Sequence, residues 1–273
     1  MKKYNVAVIG VGAVGIEMLR VLKQRKFPIE KLIVCGRSAR DITVDEETYS
    51  VKALTSDAFK GVDIALFAGT EGEKGAAVTF APQAVRHGAV VIDNGADFRM
   101  EKDVPLVVPE VNPADARRHK GIIANPNCST IQMVVALSPI YKKAGLKRVV
   151  ITTLQASSGA GKQAVDQLKD ELSQIATAGY QNIQASSALK AMPQQLAYNV
   201  FPQIGGFAEE SFTSEEWKLV KETHKILHDP DIKISATTVR VPVRTGHSEA
   251  LHLLGLGPLQ GRVSRARQCF PCV

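Results

Sequence analysis

The sequence predicts an α/β protein: a Rossmann-type doubly wound parallel sheet, followed by a second α+β domain with a mixed sheet. Three observations predict it. Short continuous apolar runs alternate with amphipathic segments through the first half. The first of these runs leads straight into GVGAVG at 10–15. From residue 213 a helix-capping pattern is followed by two strand-like runs.

The strands come first. YNVAVIG from residue 4, KLIVCG from 31, VDIALFAGT from 62 and AVVIDNG from 89 are apolar throughout rather than alternating. That is how strands covered by helices on both faces read. Between them, residues 13–26 and 74–87 carry helical periodicity, and Gly36, Gly61, Gly69 and Gly88 mark turns. After PNCST, the spacing of Ile131, Val134, Leu137 and Tyr141 predicts a helix beginning close to Cys128. Lys142 and Lys143 suit its last turn and Gly145 its end. KRVVITTLQ then reads as a strand entering a Gly/Ser loop, followed by a helix from about 162 to 178. Residues 179–212 are rich in Gln, Ala, Gly and Pro and receive no single assignment. TSEE at 213–216 is a capping box, with Thr213 as cap and Glu216 reaching back, and the helix it opens should stop near Asp229-Pro230. KISATTVRVPVRTGHSEALHLL supplies two further strands.

Composition bounds the function. At 273 residues, 45% hydrophobic, the chain can bury a substantial core in one or two domains. No apolar stretch approaches the roughly 18 residues of a membrane span, and the first residues do not form a signal peptide. A cytoplasmic location follows. Four cysteines at 35, 128, 269 and 272 are too few for a disulfide framework, and Cys269-x-x-Cys272 reads as an incidental feature of the tail rather than a metal or redox site. The formal charge of +7 falls to +4 once Arg262, Arg265 and Arg267 of an acid-free tail are set aside. A small positive excess suits anionic small-molecule substrates, and without interleaved aromatics it does not point to nucleic acid.

Four stretches carry chemistry. GVGAVG, comprising Gly10, Val11, Gly12, Ala13, Val14 and Gly15, sits between a strand and a helix, the context in which G-x-G-x-x-G binds a dinucleotide pyrophosphate. At the end of the second strand, where an NAD-selective protein carries a carboxylate, the chain reads CGRSAR. Arg37 and Ser38 can pair with a 2′-phosphate, so NADP is preferred over NAD; the alternative is a solvated loop arginine. Cys128 in NPNCSTI stands at a helix start, where backbone N–H groups and the dipole favour a thiolate, although a small buried thiol is the competing reading. His247 in RTGHSEA is the candidate base, and histidine as a structural residue is its alternative.

Taken together, GVGAVG, CGRSA, VIDNGADFRM, VPEVN, NPNCSTIQM, LQASSGAGK, EEWK and VRVPVRTGHSE resemble the bacterial aspartate-semialdehyde dehydrogenases, in order, from residue 4 to about 250. The resemblance implies a nucleophile at Cys128, with Asn127 positioning the phosphate or oxyanion and Gln155 orienting the substrate. It implies that Ser158 and Gly159 lie near the nicotinamide, that Arg99 and Lys218 hold phosphate and that Glu215 meets the substrate ammonium. Arg240 would bind the α-carboxylate and His247 would act as general acid/base. It further implies NADP as cofactor, a small-molecule substrate and phosphate as partners, and a homodimer or homotetramer. The expected domains are 1–127 for NADP binding, 128–250 for catalysis and dimerisation, and an atypical tail at 251–273. The tail lacks the family's usual continuation and reads as a truncation or shifted frame. That motivates a second reading, a catalytically silent fragment retaining nucleotide binding or subunit association.

Overall fold

The computed structural model describes residues 2–69, 75–180 and 191–255. The chain divides into two compact units, Met1–Asn127 and Cys128–Val273.

Unit 1 is built on a seven-stranded sheet. Its strands are β1 (Tyr4–Ile9), β2 (Ile29–Gly36), β3 (Arg40–Val44), β4 (Glu47–Ala53), β5 (Ile64–Phe67), β6 (Val90–Asp93) and β7 (Ile122–Ala124), in the order β3-β4-β2-β1-β5-β6-β7. All neighbours run parallel except the β3–β4 hairpin at one edge. The continuous apolar runs are explained by where successive side chains go. From β1, Ala7 and Ile9 enter a core with Phe59, Phe67 and Val91, while Val8 enters another with Leu19, Val34 and Val51. The first core is closed by α2 (Ala76–Arg86) through Ala77, Ala81 and Ala84, and the second by α1 (Ala13–Gln24) through Leu19. Each fully buried Val, Leu, Ile or Phe side chain of these cores contributes about 1.5–3 kcal/mol. Gly61, Gly69 and Gly88 take positive φ at turns, whereas Gly36 ends β2, where a Cβ would meet Val51 at 3.0 Å.

The β3–β4 hairpin is an addition to the predicted elements. Its residues are mostly exposed, so the pattern RDITVDEETYSV carries charges where the other strands carry aliphatics. The turn is made at Asp45, which adopts φ 56°.

Unit 2 holds α3 (Cys128–Ala144), β8 (Arg148–Gln155), α4 (Lys162–Ala178), α5 (Ser214–Leu227), β9 (Lys233–Arg240) and β10 (Ser248–Leu254). The described strands form a three-stranded sheet in the order β10-β8-β9. β8 runs parallel to β9 and antiparallel to β10, a mixed sheet. Helix α3 ends where the Gly145 N–H reaches the Tyr141 carbonyl, with Gly145 at φ 66°. Helix α5 opens on the capping box: the Thr213 hydroxyl accepts from Glu216 N, and Glu216 Oε2 accepts from Thr213 N at 2.7 Å. It stops at His228, in the left-handed conformation, just before Asp229-Pro230. Glu216 does a second job, because its Oε1 accepts the buried Thr238 N–H of β9 at 3.0 Å and ties the start of the helix to the sheet. β10 continues past residue 250 to Leu254, and the rest of the tail, with Cys269 and Cys272, lies outside the described residues.

Candidate active site

In unit 1 the turn after β1 is built for close backbone approach. Gly10 has φ +99°, and a Cβ on Gly15 would fall 1.9 Å from the Gly10 carbonyl oxygen. Only glycine lets the first turn of α1 pass that close to the strand end. At Gly12, the residue before α1, nothing lies within 4 Å of the place a Cβ would occupy, and no side chain caps the helix. With Val11, Ala13 and Val14 between them, the glycines leave open space over uncapped helical N–H groups, which fits a pyrophosphate. Arg37 and Ser38 follow β2 and are exposed. Arg40, the first residue of β3, donates from Nη1 to Ser38 Oγ at 3.4 Å. This second cation escaped the sequence reading because β3 itself did.

Arg99 is buried and donates from Nη2 to the Asn94 carbonyl at 2.9 Å; Asn127, the last residue of the unit, is buried as well. Behind Asn94, the buried Asp93 accepts Gly95 N–H on Oδ1, while its Oδ2 has no hydrogen-bond partner. Burial, only partly offset by the Gly95 N–H, pushes the Asp93 carboxyl up.

In unit 2 the strand register assembles the remaining residues. Glu249 pairs with Thr153, and Thr153 with Thr238. Two residues along β8, Gln155 pairs with Arg240, and His247, immediately before β10, extends the same row. Side chains two apart on a strand share a face, so both rows project from one side of the sheet. That is the buried side: Thr153, Gln155, Thr238, Arg240 and His247 are all 4% exposed or less.

Helices α3 and α5 meet this face. Gln155 Nε2 lies 3.0 Å from Ser129 Oγ on α3 and 3.2 Å from Glu215 Oε1 on α5. Gln155 thereby joins the residue after Cys128 to the carboxylate expected to meet an ammonium. Glu215 Oε2 in turn pairs with Lys218 Nζ at 3.1 Å. This is the i,i+3 ion pair that the sequence leaves open as a surface feature. Its carboxylate is buried and its ammonium about one third exposed.

The thiol of Cys128 is exposed at the first position of α3. By contrast Cys35 is buried in the sheet of unit 1, where burial pushes its thiol up and makes it inert.

The loop after β8 holds His247 and Arg240 through the backbone of one residue. The Ala156 N–H donates to His247 Nδ1 at 3.0 Å, and the Ala156 carbonyl accepts from Arg240 Nη1 at 2.6 Å. Since Nδ1 accepts, the neutral imidazole carries its proton on Nε2, which is buried and has no hydrogen-bond partner. The loop continues past the ring edge, with Ser158 N–H bonded to the Arg244 carbonyl. At Gly159 an added Cβ would stand 2.8 Å from His247 Cε1, 2.9 Å from Nε2 and 3.5 Å from Arg240 Nη1.

Unit 2 thus brings Cys128, Gln155, Ser158, Gly159, Glu215, Lys218, Arg240 and His247 onto one sheet face and the elements bordering it. Arg99, Asn127, Arg37, Ser38 and the glycine turn belong to unit 1. Sequence reading missed Gln132 and Glu249. Both had a signal: Gln132 follows Cys128 by four on a helix, and Glu249 follows His247 by two into a strand.

Comparison with known proteins gives two family matches. Residues 5–119 match the semialdehyde dehydrogenase NAD binding domain, and residues 137–263 match the semialdehyde dehydrogenase dimerisation domain. The chain is 48% identical to the aspartate-semialdehyde dehydrogenase of Aquifex aeolicus over 92% of its own length and 73% of the relative's. It superposes on the crystal structure of aspartate semialdehyde dehydrogenase II from Vibrio cholerae with a TM-score of 0.86 at 42% identity, covering 94% of this chain and 76% of that one. A more distant match, the Candida albicans enzyme solved with NADP, has a TM-score of 0.64 at 25% identity, covering 92% and 71%.

Proposed function

Because the chain belongs to the aspartate-semialdehyde dehydrogenase family, oxidoreductases of amino-acid biosynthesis, we propose that it reduces L-aspartyl 4-phosphate to L-aspartate 4-semialdehyde with NADPH through a thioester on Cys128. The observation that carries this reading is the convergence of Gln155, Glu215, Arg240 and His247 on one sheet face bordered by the helix that Cys128 opens.

The chemistry follows from the residues. At the N-terminus of α3 the helix dipole favours the Cys128 thiolate, which attacks the acyl carbon of the acyl phosphate. A carbon–sulfur bond forms, the carbon–oxygen bond to phosphate breaks, and inorganic phosphate leaves with its charge held by Lys218, the role that the family resemblance also gives Arg99. Arg240 binds the α-carboxylate and Glu215 the ammonium, while Gln155 orients the carbonyl, the task that the resemblance also assigns to Asn127. NADPH, when bound, supplies the hydride that reduces the thioester. Gly10, Gly12 and Gly15 would hold its pyrophosphate, Arg37, Arg40 and Ser38 its 2′-phosphate, and Ser158 and Gly159 would border the nicotinamide. His247 gives a hydrogen bond from Nε2 to the substrate oxygen as negative charge develops there. Protonating Nδ1 would break the Ala156 bond, so the ring acts as donor in this arrangement rather than as base. As the carbon–sulfur bond breaks, the aldehyde leaves and the thiolate returns.

The product would feed lysine and diaminopimelate, threonine and methionine biosynthesis, in a reducing cytoplasm suited to thiols such as Cys35 and Cys128. A homodimer or homotetramer is supported by the dimerisation-domain match and by Leu154 and Leu254, both exposed on the outer side of the second sheet. The test is NADPH formation from aspartate semialdehyde, NADP and phosphate. Phosphate-dependent turnover is expected; folded protein without it overturns the reading.

A further inference from the structure

Glu249 is a carboxyl that the reaction as proposed leaves without a task. It stands on the inner face of β10, two residues after His247 and opposite Thr153, and its Oε1 is buried with no hydrogen-bond partner. Its side-chain hydrogen bond is with Gln132, one helical turn after Cys128. Residues four apart lie on one helix face, so this bond connects Glu249 to the turn that follows the thiol. Gln132 is itself buried, and its Oε1 also has no partner.

Among the described residues, the charged and titratable groups of this face and the elements bordering it are Cys128 from α3, Glu215, Glu216 and Lys218 from α5, Arg240 from β9 and His247 beside β10. Glu215 pairs with Lys218, Glu216 accepts the N–H groups of Thr213 and Thr238, and Arg240 donates to Ala156. His247 is turned to Ala156 through Nδ1. The charge that bears on Glu249 is that of Cys128. Burial pushes the Glu249 carboxyl up to about 8, with the Gln132 hydrogen bond pulling it down and the Cys128 thiolate pushing it further up.

We infer that Glu249 is a positioning residue for the thiol: through Gln132 it fixes the first two turns of α3, and its carboxyl shares a single negative charge with Cys128. This rests on Cys128 being the nucleophile. With one proton lost from the pair the charge divides between sulfur and the carboxyl, and the sulfur carries it in full only after the second proton has gone. When both acids have lost their protons the two charges repel, so the second proton leaves reluctantly. The same proton on a buried carboxyl spares the site a second anion facing a phosphorylated, carboxylate-bearing substrate.

The readout is thiol reactivity rather than turnover. The full chain is alkylated with iodoacetamide from about pH 5 to about pH 10, and modification is followed by mass spectrometry on the peptide bearing Cys128. Coupling of more than about one pK unit resolves into two steps. The wild-type rate should therefore rise in two steps, the upper one near the Glu249 value of about 8. Glu249→Gln keeps the shape and removes the charge. It should give a single step, and between the two wild-type steps it should react about twofold faster for an evenly divided charge, and faster still where the carboxyl holds most of it. A one-step wild-type curve, or a Glu249→Gln curve that overlays the wild type, overturns the inference. If the variant does not fold, the shape of the wild-type curve decides alone. Turnover retained by Cys128→Ala would fail the proposed reaction, whereas alkylation indifferent to Glu249 fails only this inference.

Discussion

Replacing Gly159 by Ala tests whether the position of the His247 ring sets the rate. The backbone at Gly159 is not in the positive-φ region, so alanine carries no conformational penalty there and the effect comes from the added methyl alone. That methyl would lie 2.8 Å from His247 Cε1 and would need about 0.7 Å more to reach an ordinary carbon contact of ~3.5 Å. The ring is 0% exposed and held by the Ala156 N–H at 3.0 Å, so it cannot recede without stretching that bond. Overpacking a buried site costs about 1–3 kcal/mol. A displacement approaching 1 Å in a catalytic group can cost about a hundredfold in rate. We expect Gly159→Ala to fold, with a lowered urea midpoint, and to lose about 10- to 100-fold in kcat in the phosphate-dependent assay. The loss should fall on kcat more than on KM, because the methyl stands farther from Arg240, at 3.5 Å from Nη1. A variant with wild-type kcat would refute the placement of His247 at the reacting oxygen.

Cys128→Ala should abolish both turnover and trapping of a thioester by mass spectrometry; substantial residual turnover would remove the thiol from the mechanism. Glu216→Ala orphans the buried Thr213 and Thr238 N–H groups, each at a cost of about 1–3 kcal/mol, and urea unfolding should register the loss, while an unchanged midpoint would deny the tie between α5 and β9. Arg37→Ala and Arg40→Ala should each raise the Kd for NADP several-fold and leave NAD binding unaffected, as measured by fluorescence titration, and equal effects on both dinucleotides would point away from the 2′-phosphate. For pH, the Glu249 carboxyl is raised in the folded state from 4.5 to about 8, so the folded chain holds a proton that the unfolded chain has lost between those values. Stability from this group is complete below 4.5 and is lost as pH rises through about 8. Glu249→Gln should accordingly gain melting temperature relative to wild type near pH 8 but not near pH 4.5, and parallel pH profiles would contradict the burial of that charge.

The sheet of unit 1 was legible because its strands must be apolar on both faces, a demand that writes itself as VAVIG and IALFAG. The β3–β4 hairpin was not, since an exposed edge pair satisfies its backbone with little apolar burial and leaves charges on the strand. Strand β7 has three residues, too few for any period. In the site, Cys128 and His247 could be proposed from local chemistry. Glu215 and Lys218 looked alike as a solvated pair or as ligands, because spacing on a helix does not reveal what the helix packs against. The contact of Glu215 with Gln155 is a tertiary fact, sixty residues apart in sequence. Glu249 was hidden for a different reason: a carboxylate in a strand reads as a solvent-facing residue until the register assigns its side.

The backbone of Ala156 has a consequence for inhibitor design. Its N–H and its carbonyl belong to the two peptide planes that meet at one Cα, the first gripping His247 and the second Arg240. A compound that draws the guanidinium away releases the carbonyl, and rotation about that Cα would then loosen the N–H that seats the imidazole. A ligand bound to Arg240 alone would thereby disturb His247 without touching it, and the loop around residue 156 is where resistance would have to arise.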